Sequence, residues 1–270
     1  MTHIFFEPSI DPGIKDVIQA QLEAIEAEHN ARILFAIESG SRAWGFPSPD
    51  SDYDVRFVYA HKDDWYLSLT PGRDVIELPI DGDLDINGWD IRKALNLLLK
   101  PNPVLLEWLS SPIHYRWNTT VCEALIGFSK QVTHGAACLH HYLHLGQRQW
   151  KVYIEGKDEV SLKKYFYIVR PAMAIRWLRL RPDSAPPMNF QALMAGTDVP
   201  EALQVRLLDL LAAKSRTKEL GLAPRVPEID EFVTGEFDWA ASATSEVSRA
   251  SDKVDVQADD LFRDIVRGAV

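Results

Sequence analysis

Apolar residues recur at helical spacing over residues 13–29, at Ile14, Val17, Ile18, Leu22 and Ile25, and Asp11 with Pro12 supplies a start signal. The period then changes. RILFAIE (32–38) is a short apolar run of strand length, and GSRAWGFPSPDS after it is a loop by its Gly, Ser and Pro content. DYDVRFVYA alternates: Tyr53, Val55, Phe57 and Tyr59 share one face, while Asp52, Asp54 and Arg56 share the other, which predicts a strand with one polar side. KDDWYLSL reads as a short helix, and RDVIELPI and LDINGWD as two further strands joined by a turn at Asp81-Gly82.

From Trp89 the pattern becomes helical. IRKALNLLLK is a helix closed by Pro101, and NPVLLEWLSS is another, with Asn102 as N-cap and Pro103 at its first position. Residues 118–155, 160–181 and 200–219 carry helical patterns, with a PDSAPP loop after Arg181, and the tail 227–270 is helical by composition. The pattern predicts a mixed α/β unit over residues 1–117 and a helical unit over 118–270, with no internal repeat.

Composition narrows the class. A net charge of −10 disfavours a protein that coats nucleic acid through bulk electrostatics, while leaving room for a local basic groove. No apolar run approaches the roughly 18 residues that span a bilayer, and MTHIFFEPSIDPG lacks the basic and apolar regions of a secretory signal. The two cysteines, Cys122 and Cys138, fit no metal spacing and read as buried thiols, so the expected compartment is the cytoplasm and no membrane partner is expected.

The chemistry concentrates between Ile37 and Arg56. Asp52 and Asp54, two apart on a strand, project from one face about 7 Å apart. Carboxylates that close repel unless a cation lies between them, and Mg²⁺ held by one or two carboxylates plus substrate phosphates suits the arrangement. Upstream, a strand followed by Gly40-Ser41 and an apparent helical turn presents backbone N–H groups and a hydroxyl to a phosphate. Gly40 permits close approach because it has no Cβ, and Arg42 and Arg56 add positive charge.

A Gly-Ser loop followed by Asp-x-Asp resembles the polymerase-β-like nucleotidyltransferases. GSRAWGFPSPDSDYDVRFVY with NGWDIRKALNLLLKPNPVLLEWLSSPIHY resembles, more narrowly, the bacterial branch linked to RNA-repair gene clusters, the RNA-ligase-associated nucleotidyltransferases, over about residues 34–117. The resemblance implies an α+β fold, a polymerase-β-type mixed sheet with flanking helices followed by an all-α C-terminal domain that closes the nucleotide cleft. It implies two Mg²⁺ (or Mn²⁺) ions, a nucleoside triphosphate donor such as ATP, and a third carboxylate on a later strand. Asp85 is preferred for that role, because Leu84 and Ile86 then face the core; Asp83 shares its face, and Glu77 is a weaker alternative. Asp52, Asp54 and Asp85 are the expected metal ligands and catalytic residues, with Gly40, Ser41, Arg42 and Arg56 on the nucleotide.

Further along, a basic stretch from Lys151 to Arg181 interleaves aromatics with cations, as single-strand nucleic-acid grooves do. The bland alternative is an amphipathic helix with a solvated basic face. Lys163 and Lys164 are candidates for the triphosphate, and Tyr167 for stacking on a base. His140 and His144 lie one helical turn apart, but neither they nor His134 complete a zinc pattern. The expected reaction is transfer of a nucleoside monophosphate to an RNA or DNA 3′ end with release of pyrophosphate. Rival readings are a protein or small-molecule acceptor at the same site, and a nucleotide-binding module without turnover.

Overall fold

The computed structural model describes residues 10–100, 102–132, 135–216, 221–243 and 252–270. Pro101 and His134, both singled out above, lie outside the described residues.

Helix α1 (Pro12–His29) starts as its sequence predicts: the Asp11 carboxylate accepts from the N–H groups of Gly13 and Ile14, and Pro12 occupies the first turn. Asn30, in the left-handed region at φ 47°, ends it. Then come β1 (Ala31–Glu38), the single turn α2 (Gly40–Ala43), β2 (Tyr53–His61), α3 (Asp63–Tyr66), β3 (Val75–Glu77), β4 (Leu84–Asp90), α4 (Ile91–Leu99), α5 (Pro103–Leu109), β5 (His114–Trp117) and α6 (Thr119–Ser129). The five strands form one sheet in the order β3-β4-β2-β1-β5. Only β2 and β4 run parallel; the other neighbours are antiparallel. Parallel neighbours need a crossover, and the chain makes it through α3 and the edge strand β3.

Period-two alternation sorts β2 onto two cores. Val55, Phe57 and Tyr59 pack with Ile18, Leu22 and Ile25 of α1 and with Ile76, Ile86 and Tyr115. Val58 and Ala60 pack on the other face with Phe35, Ile37 and the apolar sides of α4, α5 and α6. Truncating one such buried Leu or Ile to Ala costs about 2–5 kcal/mol.

The rest of the chain supplies α7 (Gly135–Tyr153), β6 (Glu159–Ser161), α8 (Leu162–Leu180), α9 (Phe190–Gly196), α10 (Glu201–Lys214), β7 (Leu222–Pro224), α11 (Pro227–Ala243) and α12 (Asp252–Arg267). By contacts there are two compact units. The sheet unit takes the described parts of Glu7–Ala43, Asp52–Thr133 and Ser248–Val270; the helical unit takes Trp44–Ser51 and the described part of His134–Val247. The units therefore follow contacts rather than chain order: α6 and α12, both beyond residue 117, belong with the sheet. Ala258 and Ile265 of α12 are buried in the α4–α6 core, and the Arg32 guanidinium donates to the Ile265 carbonyl at 2.6 Å.

Several elements escaped the sequence reading. The single helical stretch 118–155 is two helices, α6 and α7. Strands β5, β6 and β7 are three or four residues long, too short to display a period, and exist because partners complete them: Phe35 faces Trp117, and Val160 faces Ala223.

In the helical unit, the segment Trp44–Ser51 is held firmly. Phe46 is fully buried against the rings of Phe166 at 5.1 Å and of Tyr167 and Phe190 at 5.9 Å. Gln191 Nε2 donates to the Gly45 carbonyl at 2.5 Å, the Phe190 N–H donates to the Trp44 carbonyl at 2.8 Å, and buried Lys214 Nζ donates to the Phe46 carbonyl. Burial lowers the Lys214 ammonium to about 8, and the charges of Lys163 and Lys164 push the same way, against Asp50. A folded-state value below the unfolded one means that the folded chain binds fewer protons between pH 8 and 10.5. Wild-type stability should therefore rise over that window by at most about 3 kcal/mol relative to Lys214→Met. Paired chemical denaturation curves across the window check this; parallel pH profiles for the two proteins would contradict it.

Candidate active site

The site grows from the start of β2. In the parallel register of β2 and β4, Asp54 lies directly beside Asp85. Of the two late carboxylates, Asp85 is within β4, whereas Asp83 precedes the strand, is exposed, and contributes its carbonyl to the Tyr53 N–H at 2.7 Å. Glu77, on β3, pairs with Arg73.

Arg56, two residues along β2, reaches across both carboxylates. Its Nη2 lies 3.1 Å from Asp54 Oδ1 and 2.7 Å from Asp85 Oδ2, and its Nη1 donates to the Asp85 carbonyl at 2.9 Å. Burial raises the Asp54 carboxyl above its usual range; Asp85 and Asp52 add to the rise, and Arg56 and Arg42 oppose it. A carboxylate held in that state is a site where added positive charge is favourable. Asp52 is exposed just before the strand, and its carbonyl accepts from Arg42 Nε at 3.1 Å while the Arg42 guanidinium stacks 3.8 Å over the Tyr53 ring. Among the described residues, no three His, Cys, Asp or Glu side chains are gathered in a ready metal cluster. Asp54 and Asp85 are brought together; Asp52 lies at the margin of the pair. Mg²⁺ needs only one or two protein carboxylates beside substrate phosphates, and the donor set present fits it on that basis.

The Gly-Ser loop is fitted against this pair. Gly40 has φ 57°, and a Cβ built there would sit 1.8 Å from Asp54 Oδ2, so no other residue fits without moving the carboxylate. Ser41 is buried within α2. The Ser39 N–H donates to the Asp54 carbonyl at 2.8 Å, tying the loop to β2.

Glu38 was missed as a functional residue. It is fully buried at the end of β1, where Oε1 accepts from the Asp54 N–H at 2.9 Å and Oε2 accepts from the Tyr115 hydroxyl at 2.6 Å. Ser111 Oγ donates to its carbonyl at 2.7 Å. Burial pushes the Glu38 carboxyl up to about 7, against the pull of these two hydrogen bonds on its oxygens. The available signal was a lone acid closing an apolar strand directly before Ser39-Gly40; its partner Tyr115 is too distant in sequence to infer.

With this geometry in view, comparison with known proteins identifies the relatives. A model of the RNA repair pathway DNA polymerase beta family matches residues 14–264. The chain belongs to that family. It is also 43% identical over 234 residues to the uncharacterized protein YcgL of Bacillus subtilis strain 168, covering 87% of this chain and 89% of that protein. The match to the RNA repair pathway DNA polymerase beta family spans both compact units, so the helical unit is part of the family's fold rather than an appendage.

In the helical unit, Lys163 Nζ lies 3.8 Å from Asp50 Oδ2. Lys164 Nζ sits 4.8 Å over the Tyr153 ring and 5.3 Å over the Tyr167 ring, and Tyr167 packs edge-on to Trp44 at 6.0 Å. Other cations of the basic stretch serve structure: Arg176 pairs with Asp198 at 2.7 Å and Glu236 at 2.6 Å, and buried Arg170 donates to the Met188 carbonyl at 3.1 Å. His140 and His144 face each other at 3.0 Å between Nε2 atoms.

Tyr115→Phe removes the donor to Glu38 Oε2 and leaves that buried oxygen without it. Urea unfolding should show a loss of about 1–3 kcal/mol at pH 8, where Glu38 is mainly ionised, shrinking below pH 6 as it protonates. Equal loss at both pH values would contradict the assigned charge state. Gly40→Ala should disturb the Asp54 carboxylate, read as an altered Asp54 titration by NMR.

Proposed function

We propose that the chain is a metal-dependent nucleotidyltransferase that moves a nucleoside monophosphate from a nucleoside triphosphate to an acceptor hydroxyl, most plainly the 3′ end of RNA or DNA. The observation that carries this reading is the Asp54–Asp85 pair set across two parallel strands against Gly40, in a member of a polymerase-β family linked to RNA repair.

Mg²⁺ or Mn²⁺, as two ions, would supply charge neutralisation on the triphosphate and acidify the acceptor hydroxyl. Asp54 and Asp85, with Asp52, are the residues that would hold them. Gly40 and Ser41 hold the terminal phosphates, and Arg42 adds charge on that side. The acceptor oxygen attacks the α-phosphorus; its bond to phosphorus forms as the bond to the β-phosphate bridging oxygen breaks, and pyrophosphate leaves. Asp85 is the group to take the hydroxyl proton. Arg56 keeps Asp54 and Asp85 oriented before substrate binds and is positioned to turn toward phosphate afterwards. Lys163 and Lys164 are the residues assigned to the triphosphate, and Tyr167 is assigned to stacking on the base. Their link to the Trp44–Ser51 segment, which runs in sequence into Asp52, supports that assignment. The protein's share of the rate is positioning and electrostatics.

The test is incubation with Mg²⁺ or Mn²⁺ and each α-labelled triphosphate, offering single-stranded RNA, single-stranded DNA or the protein alone, beside Asp52→Ala/Asp54→Ala. Label on a nucleic-acid 3′ end, reduced at least about a hundredfold in the variant, is the expected result. Label on protein alone would replace the acceptor assignment, and triphosphate binding without any transfer would replace the enzyme with a binding module.

A further inference from the structure

The β1–β2 ladder runs to Glu38 and Val55, and the residues just beyond, Ser39 and Asp54, break the rule in one bond. A hydrogen-bonded antiparallel pair exchanges two backbone bonds. The Ser39 N–H donates to the Asp54 carbonyl at 2.8 Å, as that rule requires. The return bond goes elsewhere: the Asp54 N–H donates to Glu38 Oε1 at 2.9 Å. The Ser39 carbonyl that would ordinarily receive it turns to α2, where it accepts from the Ala43 N–H at 3.5 Å. Gly40, at φ 57°, lets the chain leave the sheet in that direction.

A side chain thus replaces a backbone acceptor at the residue that carries the site's central carboxylate. Without it, the Asp54 N–H would lose its partner or draw the Ser39 carbonyl back and unwind the α2 turn. Glu38 is built for the part. It is fully buried, and all four of its polar atoms are committed. Its N–H donates to the Ile113 carbonyl at 3.0 Å, its carbonyl accepts from Ser111 Oγ at 2.7 Å, and Oε2 accepts from the Tyr115 hydroxyl at 2.6 Å. These three ties run to β5 and the residues before it, so Oε1 is placed by the sheet and not by the loop. A buried acid is a costly acceptor, and an apolar side chain beside an ordinary ladder bond would be cheaper. The acid is required because α2 takes the Ser39 carbonyl.

We propose that Glu38 is a positioning residue: its carboxylate stands in for the Ser39 carbonyl on the Asp54 N–H, which frees Ser39-Gly40-Ser41 to form the α2 turn while Asp54 stays fixed to the sheet. This role rests on the nucleotidyltransferase reading, in which Asp54 holds a cation and Gly40-Ser41 holds phosphate. Partners that orient a metal ligand from behind influence affinity by about tenfold or more.

The test is Mn²⁺ binding to the full chain by electron paramagnetic resonance, with a non-hydrolysable triphosphate present, beside hydrogen exchange of the Asp54 amide by NMR. Glu38→Met keeps the size of the side chain and removes the acceptor. It should weaken Mn²⁺ and speed Asp54 exchange, each by about tenfold or more. Glu38→Gln keeps an acceptor oxygen, and the Tyr115 hydroxyl can turn to accept from its amide. Its Mn²⁺ affinity should stay within about threefold of wild type, with the Asp54 amide still protected. A lower melting temperature in Glu38→Met with wild-type Mn²⁺ affinity in the folded protein would mark a structural role alone and overturn the proposal. Equal weakening in Glu38→Gln and Glu38→Met would overturn it too. If Glu38→Met does not fold, Tyr115→Phe, which unties Oε2 only, takes its place with an expected loss of about threefold, and unchanged affinity there overturns the proposal. Asp54→Asn is the reference: weakened Mn²⁺ in it with full binding in Glu38→Met removes the positioning role alone, whereas full binding in Asp54→Asn removes the metal site on which that role rests.

Discussion

The pairing of β2 with β4 is the constraint on which the site depends. Parallel strands in register set residues side by side at a fixed spacing, and here the register sets Asp54 beside Asp85. Two partly buried acids at that separation demand compensation, and the fold provides it in layers. Arg56 spans both carboxylates from within β2. Beneath them, Glu38 grips the Asp54 backbone and is itself gripped by Tyr115 from the edge strand β5. Gly40 closes against the same carboxylate, at a distance that only a residue without Cβ tolerates. A shift of one residue in β4 would turn Asp85 to the other face and bring Leu84 or Ile86 to Asp54.

Much of this was readable in the sequence because it is local. The alternation Tyr53-Asp54-Val55-Arg56-Phe57 gives the polar face directly, and Gly40-Ser41 is a motif with a physical use. The preference for Asp85 over Asp83 rested on assigning Leu84 and Ile86 to the core; Ile86 is 2% exposed and Leu84 is partly buried. The α+β architecture and the family followed from the same stretch. What was not readable is long-range. The Glu38–Tyr115 bond joins β1 to a four-residue strand with no periodic signature. Arg56 was expected on the nucleotide alone, and its bridge to Asp85 required knowing that β4 lies next to β2.

The loop between Gly40-Ser41 and β2 teaches a related lesson. Its Gly, Ser and Pro content marks an irregular segment, which it is, yet Phe46 is among the largest fully buried side chains. Irregular backbone is compatible with burial when carbonyls find donors, and those of Trp44, Gly45 and Phe46 are met by Phe190, Gln191 and Lys214. The helical unit thus fixes the segment that leads into Asp52, and α12, far off in sequence, fixes the sheet unit from its own side. Neither unit is built from one continuous stretch of chain, which fits a family match running through both.

The central claim is that Asp54 and Asp85, one from each parallel strand, form the cation-binding pair. Mn²⁺ binding measured by electron paramagnetic resonance, with a non-hydrolysable triphosphate present, tests it most directly. Asp54→Asn and Asp85→Asn should each weaken Mn²⁺ binding at least about tenfold, roughly what loss of a charged ligand interaction of 1.5 kcal/mol or more brings, while Asp83→Asn should leave it unchanged. Full binding in Asp85→Asn, or its loss in Asp83→Asn, would contradict the pairing as the basis of the site.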